Sequence, residues 1–204
     1  MHIAIAANIG AGKTTLTELL AKHYNWDSHF ENAEENPYLD DFYGEMERWS
    51  FNLQVYFLNS RFDQILKIKN SGKNIIQDRT IYEDAKIFAP NLHAMGLLTN
   101  RDYKNYASLF DLMENLVTPP DLLIYLRADI KTLVGQIHKR GRAYENTISI
   151  EYLSRLNERY EAWATQYNKG KLLIIDVDNI DFVENREDLG NIIDKIDAQI
   201  HGLF

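Results

Sequence analysis

Cysteine is absent from this 204-residue chain, which excludes disulfide staples, thiolate metal sites and cysteine nucleophiles together. Long apolar runs are absent too, and none comes near the ~20 residues of a membrane-spanning helix. No basic leader precedes the first strand pattern, so the cytoplasm is the expected location. Positive charge is scarce: 22 Lys and Arg stand against 30 Asp and Glu, a formal charge of −8, the wrong balance for a surface built to hold nucleic acid. The six histidines (His2, His23, His29, His93, His138, His201) lack ligand spacing, and no zinc site is expected. Repeats, low-complexity tracts and linkers are missing as well. The composition, 45% hydrophobic and 25% charged, is that of one ordinary globular domain spanning 1–204, with a small molecule expected as substrate.

What is present is alternation of strand and helix patterns. Apolar runs at His2–Ala7, 74–77, 122–126 and 172–175 read as buried strands, with a short further strand at 29–31. Helical spacing fills 13–24, 49–69, 101–116, 130–140, 150–167 and 189–200. This order predicts an α/β fold in three layers, a central five-stranded parallel sheet covered by helices on both faces.

Between the first strand and first helix lies Ala7-Asn8-Ile9-Gly10-Ala11-Gly12-Lys13-Thr14-Thr15. It matches the phosphate-binding pattern G-x-x-x-x-G-K-[ST] except at its first position, where alanine replaces glycine. One added methyl is tolerable there if φ is negative. In such a loop, backbone N–H groups and the helix N-terminus face the phosphates, Lys13 reaches the β and γ oxygens, and the Thr14 hydroxyl ligates Mg²⁺. A chance match in a glycine-bearing turn is the alternative, and the strand and helix on either side weigh against it.

Ligands of open parallel sheets sit beyond the carboxyl ends of strands. Glu31, Asp78 and Arg79 fall at such ends, where one carboxylate can take a proton from an attacking hydroxyl and another can hold Mg²⁺. For Asp78 and Arg79, capping of the next helix and a surface ion pair is an equally good reading. The run Lys139-Arg140-Gly141-Arg142 reads as a turn leaving a helix. It suits an arginine lid over a transferring phosphoryl group, although a charge run is more often a solvated face.

Taken together, these residues resemble the deoxyribonucleoside kinases, and within them the bacterial deoxyadenosine/deoxycytidine branch. The resemblance is carried by the phosphate loop, Glu31 ahead of Glu35-Asn36-Pro37-Tyr38-Leu39, Arg48-Trp49-Ser50-Phe51-Asn52-Leu53-Gln54, Asp78-Arg79-Thr80-Ile81-Tyr82-Glu83-Asp84, and Arg140-Gly141-Arg142. It implies a P-loop kinase fold and transfer of the γ-phosphate of ATP, with Mg²⁺, to the 5′-hydroxyl of a deoxynucleoside in nucleotide salvage. Glu31 then corresponds to the general base, although Asn32-Ala33 follow it where relatives carry Pro-Val. Arg79 corresponds to the arginine beside the 5′-hydroxyl, and Asp78 with Thr14 to the Mg²⁺ ligands. Tyr43 and Glu145 correspond to the sugar-binding pair, Leu53 and Gln54 to the base-reading segment, and Phe88 to the stacking aromatic. Residues 8–15 and Asp178 to Phe182 correspond to the ATP site, and Arg140 and Arg142 to the lid. Gln136 stands where relatives often have a further lid arginine. A homodimer through a helix pair that includes the long aromatic-rich helix is implied as well.

Arg61 lies two helical turns after Gln54, so both can face one pocket, and Asp84 follows Arg79 by five residues. In the family, Arg and Asp at these positions accompany purine and deoxycytidine use. A polar pair crowds the 5-methyl group of thymine and leaves charge unmatched beside it. Gln54 donates and accepts at once, which suits the adenine edge and also cytosine. Deoxyadenosine is favoured, with deoxycytidine and deoxyguanosine as alternatives, and an internal Arg61–Asp84 salt bridge without a reading role is the plainer account of that pair. Two rivals remain: a nucleoside monophosphate kinase, which needs extra cations where this chain has Glu31, Tyr43 and Glu145, and a nucleotide sensor without turnover.

Overall fold

The structure, a computed structural model, describes residues 1–30, 36–142, 145 and 147–202. Five strands, β1 (His2–Ala7), β2 (Asp27–His29), β3 (Ile75–Asp78), β4 (Leu122–Arg127) and β5 (Lys171–Asp176), form one parallel sheet in the order β2-β3-β1-β4-β5. Ile5 pairs with Asp78 on one side of β1 and with Ile124 on the other. This puts the carboxyl ends of β1 and β3 side by side.

Each face of the sheet buries its own apolar set, as both-sided coverage of a parallel sheet requires. Ile3, Ile5 and Ala7 join Leu122, Ile124 and Leu126 beneath α1 (Lys13–Tyr24) and the C-terminal helix. Ala4, Ala6 and Leu123 face the other way, where Trp163 and Tyr167 pack. The remaining helices are α2 (Leu39–Gly44), α3 (Met46–Ser71), α4 (Ile81–Glu83), α5 (Ala89–Ala94), α6 (Asn100–Glu114), α7 (Ile130–Arg140), α8 (Ile150–Gln166) and α9 (Arg186–His201).

Between α4 and α5 the chain makes a π-helical turn, Asp84–Phe88, in which the Ala89 N–H donates to the Asp84 carbonyl. Pro90 follows directly and, having no N–H, donates nothing back into this turn. The edge strand β2 lies two residues before the span expected for it. Glu31, expected to end that strand, lies outside the described residues.

Candidate active site

The phosphate loop runs from β1 into α1, and Ala7 is fully buried with φ outside the positive range, so its methyl joins the core without strain. The two glycines are required. Gly10 and Gly12 have φ of +92° and +88°, and a Cβ would stand 2.7 Å from the Leu133 carbonyl oxygen or 2.9 Å from the Phe182 ring. The Asn8 side chain is taken up within the protein: its amide N–H groups donate to Leu153 O at 3.0 Å and Asn157 Oδ1 at 3.1 Å on α8, and its Oδ1 accepts from the Ile9 N–H at 2.8 Å. Only the Asn8 backbone is left to meet a nucleotide. Lys13 Nζ donates to Ala7 O and Asn8 O at 2.9 and 3.2 Å.

At the adjoining strand end, the Thr14 hydroxyl donates to Asp78 Oδ2 at 2.6 Å. The other carboxylate oxygen, Oδ1, is buried and has no hydrogen-bond partner among the described residues. A buried carboxylate oxygen and a hydroxyl are hard donors that fit Mg²⁺, which binds through one or two such ligands plus phosphate and water. Among the described residues no group of three His, Cys, Asp or Glu forms a protein-only metal cage.

Arg79, next in the chain, has φ of +68°, which is costly for a residue with a Cβ. Its N–H bonds to Ile5 O at 2.9 Å. The following residue, Thr80, caps α4 in a reciprocal box with Glu83. The chain therefore turns sharply at Arg79, and its guanidinium lies 4.6 Å from the Phe88 ring centre. Cap and strand-end pairing both hold Arg79 in place, so capping belongs to Thr80 rather than to Asp78 and Arg79.

A cleft partly open to solvent joins these parts. Its phosphate side is lined by Ile9, Gly10, Lys13, Thr14, Asp78 and Arg79. Its other side is lined by Tyr43 from α2, Leu53 and Gln54 from α3, and Asp84 and Phe88 from the π turn. Gln54 is 2% exposed, and its Oε1 has no partner among the described residues. Arg61 is buried behind the wall rather than lining it, and its Nε donates to Asp84 Oδ2 at 2.7 Å. The Tyr106 phenol, raised well above its ordinary range by burial and then by Asp84, adds to this buried polar group.

Arg140, Arg142 and Glu145 close the cleft. Arg140 Nε donates to Glu145 Oε2 at 3.0 Å and Nη2 to Oε1 at 2.5 Å, and Arg142 Nη1 lies 3.9 Å from that Oε1. One carboxylate, 4% exposed, therefore gathers both lid arginines.

A second, smaller cleft opens on the far side of the loop. Gly10, Ala11, Gly12, Thr15, Gln136 and Phe182 line it, with Thr132, Val177 and Ile180. Asp178 lines neither cleft: its Oδ1 accepts from the Asp129 N–H at 2.8 Å, at the start of α7. Sequence reasoning missed Leu39, Phe42, Phe57 and Tyr152 in the main cleft. Phe57 follows Gln54 by three residues on one helix face, a spacing that points to it. Tyr152 carries no such signal.

Fold and cleft define a P-loop phosphotransferase, with a phosphate loop, a strand-end carboxylate and an arginine lid around one pocket. The sequence profile described as deoxynucleoside kinase matches residues 3–201, and the chain belongs to the deoxynucleoside kinase family. It is 40% identical over 204 residues to the deoxyadenosine/deoxycytidine kinase of Bacillus subtilis (strain 168), covering 98% of this chain and 93% of that protein. To the deoxyadenosine kinase of Lactobacillus acidophilus it is 35% identical, with 97% and 95% covered. The solved structure of deoxyadenosine kinase from M. mycoides with bound dATP superposes with a TM-score of 0.86 at 32% identity, over 97% of this chain and 100% of that one.

Proposed function

We propose that this kinase takes deoxyadenosine as its preferred acceptor and MgATP as donor, transferring the γ-phosphate to the 5′-hydroxyl. The observation that carries the base assignment is Gln54: a buried amide oxygen without a partner among the described residues, in the wall of the cleft, with Phe88 on the same pocket. A buried acceptor left unmatched costs roughly 1–3 kcal/mol, so a base bringing a matching N–H gains that much over one that does not. Adenine offers its N6 amine there, and the Gln54 amide N–H can donate to a ring nitrogen. The Arg61–Asp84 pair narrows the same wall with fixed charge and disfavours thymidine.

In this reading Tyr43 and Glu145 hold the sugar 3′-hydroxyl and Arg79 faces the 5′-oxygen. Lys13 and the loop N–H groups take the phosphates, and Arg140 and Arg142 close over them from α7. Asp78 and Thr14 would hold Mg²⁺, which would offset the negative charge of the phosphates. Gln136 and Phe182 line the second cleft, where the donor base fits. Glu31 as general base rests on its motif. A homodimer through a helix pair that includes α3 is part of the proposal: α3 packs beside α6, its aromatics Trp49, Phe51 and Phe62 are only half-buried, and Leu112 on α6 and Leu116 just beyond it are exposed. A cytoplasmic location is part of the proposal and rests on membership of the deoxynucleoside kinase family; no helix among the described residues is long and apolar enough to cross a membrane.

The test is ADP release with each of the four deoxynucleosides, and with dAMP and dTMP, at matched concentration. Deoxyadenosine is expected to give the highest kcat/KM, thymidine the lowest among nucleosides, and the monophosphates none. Turnover of the monophosphates, or ADP release indifferent to acceptor, overturns the reading.

A further inference from the structure

Tyr160 of α8 is fully buried between two working side chains of the cleft. Its hydroxyl accepts from Arg79 Nη1 at 3.0 Å and donates to Glu83 Oε1 at 2.8 Å. Its ring meets Phe88 edge-on at 6.3 Å and stacks on Tyr125 at 5.7 Å, with the planes 4° apart. Glu83 has no exposed surface, and its Oε2 accepts from the Thr80 N–H at 2.7 Å and the Thr80 hydroxyl at 3.3 Å. The direct distance from Arg79 Nη1 to Glu83 Oε1 is 3.6 Å, too long for a hydrogen bond and short enough for strong attraction.

The tyrosine oxygen therefore stands in the gap between a cation and a carboxylate. Burial raises the phenol well above its ordinary range, with Arg79 working against the shift and Glu83 with it. The hydroxyl keeps its proton for Glu83 and a lone pair for Arg79. Without it, Oε1 loses its 2.8 Å donor, and the Arg79 guanidinium, four residues back, stands 3.6 Å away to replace it. A buried carboxylate oxygen stripped of a donor draws in whatever donor can reach it.

We propose that Tyr160 is a positioning residue: its hydroxyl is a spacer that stops Arg79 closing onto Glu83 and so keeps the guanidinium against Phe88 and turned to the cleft. This rests on the role given to Arg79 above. A misplacement of about 1 Å in a group that acts at the reacting atoms costs about 100-fold in rate.

The experiment compares wild type, Tyr160→Phe, and Tyr160→Phe with Glu83→Gln in steady-state kinetics with deoxyadenosine and ATP. Tyr160→Phe is expected to lower kcat about 30- to 100-fold, with KM for each substrate within about threefold. Adding Glu83→Gln removes the charge that captures Arg79, and at least about tenfold of kcat should return. A packing role predicts the opposite, because a second buried change then deepens the loss. A Tyr160→Phe kcat within about threefold of wild type, or a double variant no faster than the single, overturns the spacer. Should Tyr160→Phe not fold, Tyr160→His serves, since its ring nitrogens can accept from Arg79 and donate to Glu83. A kcat within about tenfold of wild type then supports the proposal, and a larger loss in folded protein refutes it. Wild-type protein with no acceptor-dependent ADP release refutes the acceptor assignment and the spacer together, whereas normal wild-type turnover beside an unaffected Tyr160→Phe refutes only the spacer.

Discussion

The two sides of the cleft hold their charge differently. On the base side, Asp84 in the wall is locked at 2.7 Å to Arg61 behind it, both all but inaccessible, and Gln54 presents one unmatched atom. On the phosphate side, Lys13 lies on carbonyls of its own loop, and Arg140 and Arg142 gather on Glu145. The first arrangement needs no rearrangement to read a flat neutral ring. The second asks its cations to exchange protein oxygens for phosphate oxygens, which places much of the binding energy where charge develops in the reaction. In the proposed reading, a neutral acceptor meets a wall already fixed, and an anionic donor meets cations that must leave their protein partners.

Three outcomes break or sharpen this contrast. The largest belongs to the phosphate side: Lys13→Ala is expected to lower kcat/KM by about 10³-fold with little change in melting temperature. A loss below tenfold would mean that the contacts to Ala7 and Asn8 are the lysine's working position. Next comes the base side, where Asp84→Ala takes from the buried Arg61 its 2.7 Å partner. Breaking such a pair costs about 3–5 kcal/mol, roughly a 10 °C fall in Tm for a domain of this size. Adding Arg61→Met should restore most of that stability and admit thymidine, so calorimetry and an acceptor panel on the single and double variants decide it. A double variant as unstable as the single, or still closed to thymidine, would remove the pair from base selection.

The smallest effect lies at the opposite end of the sheet. His2 Nε2 donates to Gln77 Oε1 at 2.9 Å, and burial lowers the His2 pKa below 6.5, with Gln77 and Asp121 opposing the shift. The folded state therefore binds fewer protons than the unfolded chain just below that pH. This stability contribution is whole above about 6.5 and is lost as pH falls from there towards the folded value. Tm measured between pH 7.5 and 5.5 should fall less in His2→Gln than in wild type, while kcat/KM at pH 7.5 stays level. Equal slopes would exclude His2 as a source, and a change in activity would show that the sheet couples this end to the cleft.

Legibility in the sequence followed how local each signal was. Helices α1 and α7 match their expected bounds, because loop chemistry and amphipathic spacing mark both ends. β2 was displaced because a three-residue edge strand, half exposed, has no alternation to fix its register. The stretch from α4 to α5 went unread since the π turn breaks the 3.6-residue period on which helix patterns depend. Motif residues such as Gln54, Asp84 and Phe88 do meet in one cleft, but nothing local told that Arg61 would sit behind its wall or that Asp178 would pair with Asp129. The Tyr160–Glu83 contact joins residues 77 apart, and only the folded chain brings them together.

The widened turn that carries Asp84 and Phe88 has an evolutionary corollary. Pocket shape at this spot is written in the number of residues as well as in their identity, since the Ala89 N–H reaches back five residues to Asp84 and the turn holds one residue more than an α turn would. In the proposed reading, loss of a single residue here is a route to a different pocket, distinct from substitution at Gln54 or Asp84.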